Sequence, residues 1–598
     1  MLQNLKKISL LLNKKLKFSL RILLISNIIA VAIEFISLSI LGVFILILND
    51  PNSFSNELNI KFIQEIVDNF AYNRLILTTA LLLFLLILIK NSYNLFNTYL
   101  ENKIKINIVK FNFEKLYLNF LNSDYLYINK KNPSELLNKF NQVIPKAVET
   151  IFFCFFLFRE ILISFYILIL LIYTSTEGAI LSLAFFILAI FLFTFLYKKK
   201  ISEYGKKQII FEQRVFQSIL ETFNNFKIIK LINKNLFFTQ RVIFNIQNIL
   251  KFQMFHAILG KIPRAVFESL VFLLILILFF YLYIYDINFE SLLPFIVILF
   301  VGFLRLLPSF SNITALYNSV RFFRFQVYEL LNEFENIEKI KFEKNLGTNK
   351  KIFKETIEEL SLQNISFRYA KNKKFELKNI NLHFEKGKIY SIIGRSGSGK
   401  STIIDIISGL IKPDDGNIKI NKNDKTENLN WYNLISYVPQ NIYLSDQSIV
   451  NNITIGEADD DINLNRFWDS VKAAELEEFI NQQEKKEKQL VGDAGRQISG
   501  GQKQRIGLAR AFYKENQILI LDEATNAIDI IKEKKILENL KLLKKDKIII
   551  IVAHDQKLIT YSDKIIVVNN GQILKILDNK DFNINEFENY FEKDEKSE

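Results

Sequence analysis

Six apolar runs, all before residue 310, constrain what this chain can fold into more than any other feature. They cover Ile22–Leu48, Leu75–Ile89 with its flanks, Ile151–Tyr173, Ala179–Tyr197, Val266–Tyr285 and Leu292–Leu307. Crossing the hydrocarbon core of a bilayer takes roughly 20 apolar residues of helix. Backbone N–H and C=O groups find no water there, so each run must satisfy its own as a helix. Buried helices of a large soluble domain are the alternative, but six such runs joined by charged segments argue against it. The pattern predicts a six-span α-helical transmembrane domain over residues 1–327.

Charge sets the expected orientation. Lys6, Lys7, Lys14, Lys15, Lys17 and Arg21 precede or open the first run, and the long second and fourth connections carry Lys103 to Lys146 and Lys198 to Lys234. The short first, third and fifth connections are mostly acidic, with Asp50, Glu57, Asp68, Glu177, Asp286 and Glu290. Lysine and arginine stay on the cytoplasmic side. Both termini and the long connections are therefore expected in the cytoplasm, in a multi-pass protein of the cytoplasmic (inner) membrane. Much of the net charge of +14 is accounted for in this way. With no aromatic–basic recognition motif, nucleic acid is not expected as a partner. The first run is too long for a signal-peptide core and is read as retained. Cys154 is the single cysteine, so no disulfide can form within the chain, and a buried structural thiol is expected.

A charged stretch, 328–355, reads as a linker. Beyond it short β-rich runs alternate with helical periodicity, the pattern of an α/β domain over 356–585 with a charged tail at 586–598. Gly394-Arg395-Ser396-Gly397-Ser398-Gly399-Lys400-Ser401 lies between the apolar run Ile389–Ile393 and a helical run from Thr402, the strand–loop–helix context of a Walker A phosphate loop. Gly394, Ser396, Gly397, Ser398 and Gly399 would turn backbone N–H groups onto phosphate oxygens at a helix N-terminus. Lys400 would reach the β- and γ-phosphates of ATP, Ser401 would give its hydroxyl to Mg²⁺, and Thr402 completes the cradle. Ile518–Leu521 is an apolar strand ending in Asp522 and Glu523. Asp522 is the expected Mg²⁺ holder and Glu523 the base that polarises the attacking water. Strand-end acids are common, so this pair gains meaning only from what precedes it.

What precedes it is Ser499-Gly500-Gly501-Gln502, continued by Lys503-Gln504-Arg505. On this signature the chain resembles ATP-binding cassette exporters of the half-transporter type, with membrane and ATPase domains fused: an α-helical six-span domain followed by an α/β P-loop nucleotide-binding domain. The resemblance implies that the signature binds the γ-phosphate of ATP held by a second copy, as expected of a homodimer with two composite sites. It also implies that Tyr369 stacks on adenine, that Gln440 is the Q-loop glutamine sensing Mg²⁺, and that His554 is the switch histidine. Val491–Gly495 resembles the loop that couples signature to membrane domain, and Asn526-Ala527-Ile528-Asp529 the D-loop. The departures, Ile498 for leucine and Asp493-Ala494 for Glu-Arg among them, remove no phosphate, metal or base ligand.

For substrate the polar residues at membrane depth speak: Glu34, Arg159 with Glu160, Arg264 and Arg305. A charge there is costly and faces a cavity or a partner. Arginine's planar fork suits phosphate oxygens. Internal pairing and recognition of a head group both stay open. Arg305-Leu306-Leu307-Pro308-Ser309, Pro263-Arg264 with Glu268, and Asn132-Pro133-Ser134-Glu135-Leu136 resemble the bacterial lipid-linked oligosaccharide flippases. That implies a polyprenyl-diphosphate-linked glycan, with Leu58–Phe70 as a short external helix. A general lipid, drug or peptide exporter, or an ATP-gated channel or regulator, would share the same cassette.

Overall fold

The computed structural model describes residues 9–49, 72–174, 176–284, 289–341, 355–369, 376–421, 431–492, 495–553 and 556–582. Leu58–Phe70, Asp493-Ala494 and the tail 586–598 lie outside these residues. The chain divides into two compact units, one of residues 1–123 with 127–344, the other of 124–126 with 345–598.

Among the described residues the first unit holds six long helices: α1 (Lys14–Asn49), α2 (Tyr72–Leu121), α3 (Ile144–Thr174), α4 (Thr176–Asn224), α5 (Asn235–Ile284) and α6 (Phe289–Lys341). Each apolar run falls on its own helix, apart from Tyr285 at the end of the fifth. Helix α2 has 50 residues, so at 1.5 Å per residue it is about 75 Å long, more than twice the hydrocarbon thickness. Among the described residues, three stretches are long and apolar enough to cross a membrane: Lys14–Ser37, Ile76–Leu121 and Pro133–Ile169. On α2, Leu77, Leu81, Leu82, Phe84, Leu85 and Leu88 are all exposed, an apolar band suited to acyl chains and not to water.

The polar halves of the helices pack on one another. Leu116 and Phe120 of α2, Ile144 and Ala147 of α3, and Leu330, Leu331 and Phe334 of α6 share one core. Gly205 of α4 meets α6 so closely that a Cβ would lie 2.0 Å from the Phe322 carbonyl oxygen. Two expectations need correction. The stretch read as a linker from residue 328 is helix as far as Lys341, because Leu330, Leu331, Phe334 and Ile337 form a buried stripe at helical spacing beneath its charges. Cys154 is exposed and not buried, on the surface of α3 where Phe158 and Ile161 are also exposed.

The second unit is built on a six-stranded sheet of order β5-β6-β7-β3-β8-β9 and a three-stranded antiparallel sheet of order β2-β1-β4. The strands are β1 (Glu359–Phe367), β2 (Leu377–Glu385), β3 (Ile389–Ile393), β4 (Asp415–Ile420), β5 (Ile435–Val438), β6 (Ile518–Asp522), β7 (Ile548–Val552), β8 (Lys564–Asn569) and β9 (Gln572–Asp578). The larger sheet is parallel except at the β8–β9 edge. Parallel strands covered on both faces read as continuous apolar runs, and β7, Ile-Ile-Ile-Ile-Val, is buried at every residue. Alternation sends Leu519, Leu521, Ile549 and Ile551 into one core, and Ile518, Ile520, Ile548 and Ile550 into the other. Helices α7 (Lys400–Ile407), α8 (Gly500–Tyr513) and α9 (Ile530–Leu543) carry the motifs or follow them.

Candidate nucleotide site and membrane-domain charges

The glycine-rich loop links the end of β3 to the start of α7, as its sequence requires. Two positions need glycine for different reasons. A Cβ on Gly394 would lie 2.3 Å from the Val568 carbonyl oxygen, and Gly399 caps α7 in the left-handed region at φ 112°. No side chain caps that helix, so its first N–H groups are left to a ligand's oxygens. The Ser398 hydroxyl is buried without a hydrogen-bond partner. An anion with several acceptor oxygens fits this donor set. Lys400 is buried and donates from Nζ to the carbonyls of Gly394 at 2.7 Å and Arg395 at 3.0 Å. Burial lowers its pKa, while the charges of Glu523 and Asp522 pull it back up. Tyr369 packs edge-on against Phe367, and its hydroxyl lies 3.1 Å from the Thr402 hydroxyl.

Asp522 and Glu523 stand at the end of β6, beside β5 and β7. The Tyr437 hydroxyl donates to Asp522 at 3.1 Å. Burial and the Asp522 charge push the Tyr437 hydroxyl far above its ordinary value. Asp405, on α7, is raised to about 6 by burial and then by the Asp522 charge. Glu523 sits at φ 49°, in the left-handed region, an uncommon conformation for a side-chain-bearing residue and one found at functional sites. Its carboxylate accepts from Gln440 Nε2 at 2.8 Å and Asn526 Nδ2 at 3.1 Å. The folded chain thus brings the residues of the Walker B, Q-loop and D-loop motifs to one carboxylate. The sequence marked all three motifs, yet it held no signal that Asn526 and Tyr437 would be the residues touching the acids.

Ser499 opens α8 with a reciprocal cap: its hydroxyl accepts from Gln502 N–H, and the Gln502 side chain accepts from Ser499 N–H. Gly500 and Gly501 run past Ala527, where a Cβ on Gly501 would lie 2.6 Å from the Ala527 carbonyl oxygen. Gln504 accepts from Ala527 N–H at 2.7 Å, which fastens the signature helix to the D-loop. Ser401 is exposed at the start of α7. His554 lies outside the described residues; its neighbour Ala553 is fixed by donating to the Ile392 carbonyl at 3.2 Å.

The membrane-depth charges are not gathered into one cluster by the described contacts. Glu34 lies 3.7 Å from Lys90, Arg159 lies 3.8 Å from Glu101, and Arg264 donates to Glu268 at 2.8 Å on an exposed face. The Glu160 carboxylate accepts from Asn312 at 3.3 Å. Arg305 belongs to α6, with its side chain outside the described set. Sequence reading missed a buried network joining α1 to α2. Asn97 donates to Asn27 at 2.8 Å and to Glu101 at 3.2 Å, and the Ser26 hydroxyl donates to Asn97 at 2.7 Å. Asn97 and Glu101 share a helix face four residues apart, the one signal that could have found it.

Residues 20–310 match the family described as ABC transporter transmembrane region, and residues 377–526 the family described as ABC transporter. A Vibrio parahaemolyticus protein named ATP-dependent lipid A-core flippase is 32% identical over 280 residues, 46% of this chain and 46% of that relative. A Proteus vulgaris protein named alpha-hemolysin translocation ATP-binding protein HlyB is 36% identical over 219 residues, 36% of this chain and 31% of the relative. The match thus spans less than half the length of either. The solved structure of a bacterial Atm1-family ABC exporter with ATP bound superposes with a TM-score of 0.72 at 17% identity, over 91% of this chain and 95% of the other. The transmembrane and ATPase family matches on one polypeptide, together with the exporter fold, place this chain in the ABC transporter family as a half-transporter in which the two domains are fused.

Proposed function

We propose that this chain hydrolyses ATP and uses the cycle to flip a lipid-linked substrate across the cytoplasmic membrane, a polyprenyl-diphosphate-linked oligosaccharide being the first candidate. The observation that carries the ATPase reading is the convergence of Gln440 and Asn526 on the Glu523 carboxylate, beside Asp522. Glu523, held in that fork, accepts a proton from the attacking water. The N-terminal amides of α7, the Ser398 hydroxyl and the Lys400 ammonium hold the phosphates, and Tyr369 carries the adenine. Ser401, Asp522 and Gln440 would hold Mg²⁺, which neutralises charge building on the phosphates. His554 contacts the γ-phosphate. Ser499 to Gln502 of a second copy complete each site, so the working unit is a homodimer with its cassettes in the cytoplasm.

Resemblance of the membrane segments to lipid-linked oligosaccharide flippases supports the substrate. The name of the Vibrio relative supports a second candidate glycolipid, lipid A-core. ATP hydrolysis by the protein in nanodiscs separates the two. Stimulation by a polyprenyl-diphosphate glycan and not by lipid A-core is the expected result. The reverse order transfers the function to the second glycolipid, and stimulation by neither removes both.

A further inference from the structure

We propose that Glu333 anchors a buried ionic clamp that makes the first cytoplasmic loop and the end of α6 move as one body. This inference rests on the ATP-driven cycle proposed above.

The clamp begins with the phrase Asn132-Pro133-Ser134-Glu135, to which the fold gives a mechanical meaning. The Asn132 side chain caps the short helix Pro133–Asn138 by accepting from Ser134 N–H at 3.0 Å, and Pro133 sits at the first helical position. That start aims Glu135 between Lys131 and Lys139, whose Nζ atoms donate to its Oε1 at 2.9 Å and 2.6 Å. Both lysines also reach Glu333 Oε2, at 3.2 Å and 2.6 Å, and the Tyr127 hydroxyl donates to Glu333 Oε1 at 2.6 Å. The Lys139 and Glu333 side chains are only 3% and 5% exposed. Lys139 opens a π-helical turn, Lys139–Val143, a geometry that recurs at functional sites.

Two lysines and two glutamates form the hydrogen-bonded cluster, and Glu329 beside them feels the charge of all four. Removing Glu333 would take one of two carboxylate partners from the buried Lys139, so the pair at the centre of the group resists being pulled apart. It lies between two places where the chain passes from one unit to the other. Residues 124–126 group with the nucleotide-binding unit and Tyr127 onward with the membrane unit, while α6 ends at Lys341, just before the next passage. Tyr127 and Glu333 therefore tie together the two strands of chain along which nucleotide-driven movement can reach the membrane helices. Glu333 is a positioning residue in this account, because it touches neither nucleotide nor substrate.

The test uses the full chain in nanodiscs, with Glu333→Gln and the milder Tyr127→Phe, which removes one hydroxyl and keeps the ring. Hydrogen–deuterium exchange is compared without nucleotide, with ATP, and with ATP plus vanadate, alongside ATP hydrolysis. Both variants are expected to hydrolyse ATP within about threefold of the parent and to keep the nucleotide response of peptides from 389–410 and 499–530. The response in 127–143 and in α1 to α6 should fall by more than about half. A membrane-helix response equal to the parent's in both variants would overturn the clamp. So would equal loss of hydrolysis, folding and exchange response in Tyr127→Phe, which would make the cluster a packing element. A parent that binds ATP without hydrolysing it refutes the reading of the previous section, yet the exchange response to ATP alone still decides the clamp.

Discussion

In the nucleotide-binding unit, Lys400, Asp522 and Glu523 stand where strands end and helices begin. In the membrane unit, Glu34, Arg159 and Arg264 stand along helices, each beside an internal partner. The first set is held by backbone: a parallel sheet fixes the strand ends, and the turns leave N–H groups and acids facing one place. The second set is held by side chains, so its geometry follows whichever neighbour supplies the opposite charge. Chemistry that needs backbone amides leaves glycines at fixed spacing in a sequence. Chemistry that needs a charge somewhere along a helix leaves one letter.

Substitutions can break or sharpen that contrast. The largest effect is expected from Glu523→Gln, which keeps the fork from Gln440 and Asn526 in shape and removes the base. Steady-state ATP hydrolysis should fall about 10²- to 10⁴-fold. A fall under tenfold would detach Glu523 from the chemistry. Next comes Ile550→Ala in the fully buried β7, which should cost about 2–5 kcal/mol, read as an earlier denaturant midpoint for the nucleotide-binding unit. A change below that range would mean that the sheet does not set the site's rigidity.

A smaller effect has a pH signature. The Asp405 pKa is raised from 3.8 to about 6, so the folded state favours its protonated form. Its contribution to stability is full below pH 3.8 and is lost as pH rises through about 6. Asp405→Asn should therefore stabilise the protein at pH 8 relative to the parent, by about 1 kcal/mol after allowance for partial exposure, and give no gain at pH 4. Melting at the two pH values reads this, and an equal gain at both would assign the effect to packing. The smallest change is expected for Arg264→Ala, an exposed pair with Glu268 four residues away, at about 0.3–0.5 kcal/mol. Loss of transport without loss of stability would instead return Arg264 to substrate recognition.

Most of the architecture was legible. The six runs needed only length and apolarity, and the cassette motifs needed only order and spacing. The helical continuation to Lys341 was hidden because Glu333, Glu335 and Glu338 gave a linker-like density of charge over the buried stripe of Leu330, Phe334 and Ile337. The contact of Tyr437 with Asp522 was hidden because it depends on β5 and β6, far apart in sequence, lying side by side. That of Asn526 with Glu523, only three residues away, was hidden because it depends on how the turn after β6 folds back. The network of Asn27, Asn97 and Glu101 was hidden for a related reason: asparagine and glutamate inside long helices look alike whether they face a partner or a solvated surface.

The central claim is that the carboxylate fork in one unit drives movement of lipid through the other. Its most direct test is ATP-dependent exposure of a labelled polyprenyl-diphosphate glycan on the opposite leaflet of proteoliposomes, with Glu523→Gln beside the parent. The account predicts flipping that requires both ATP and Glu523. Parent protein that hydrolyses ATP at full rate while the glycolipid stays on its original leaflet would contradict it.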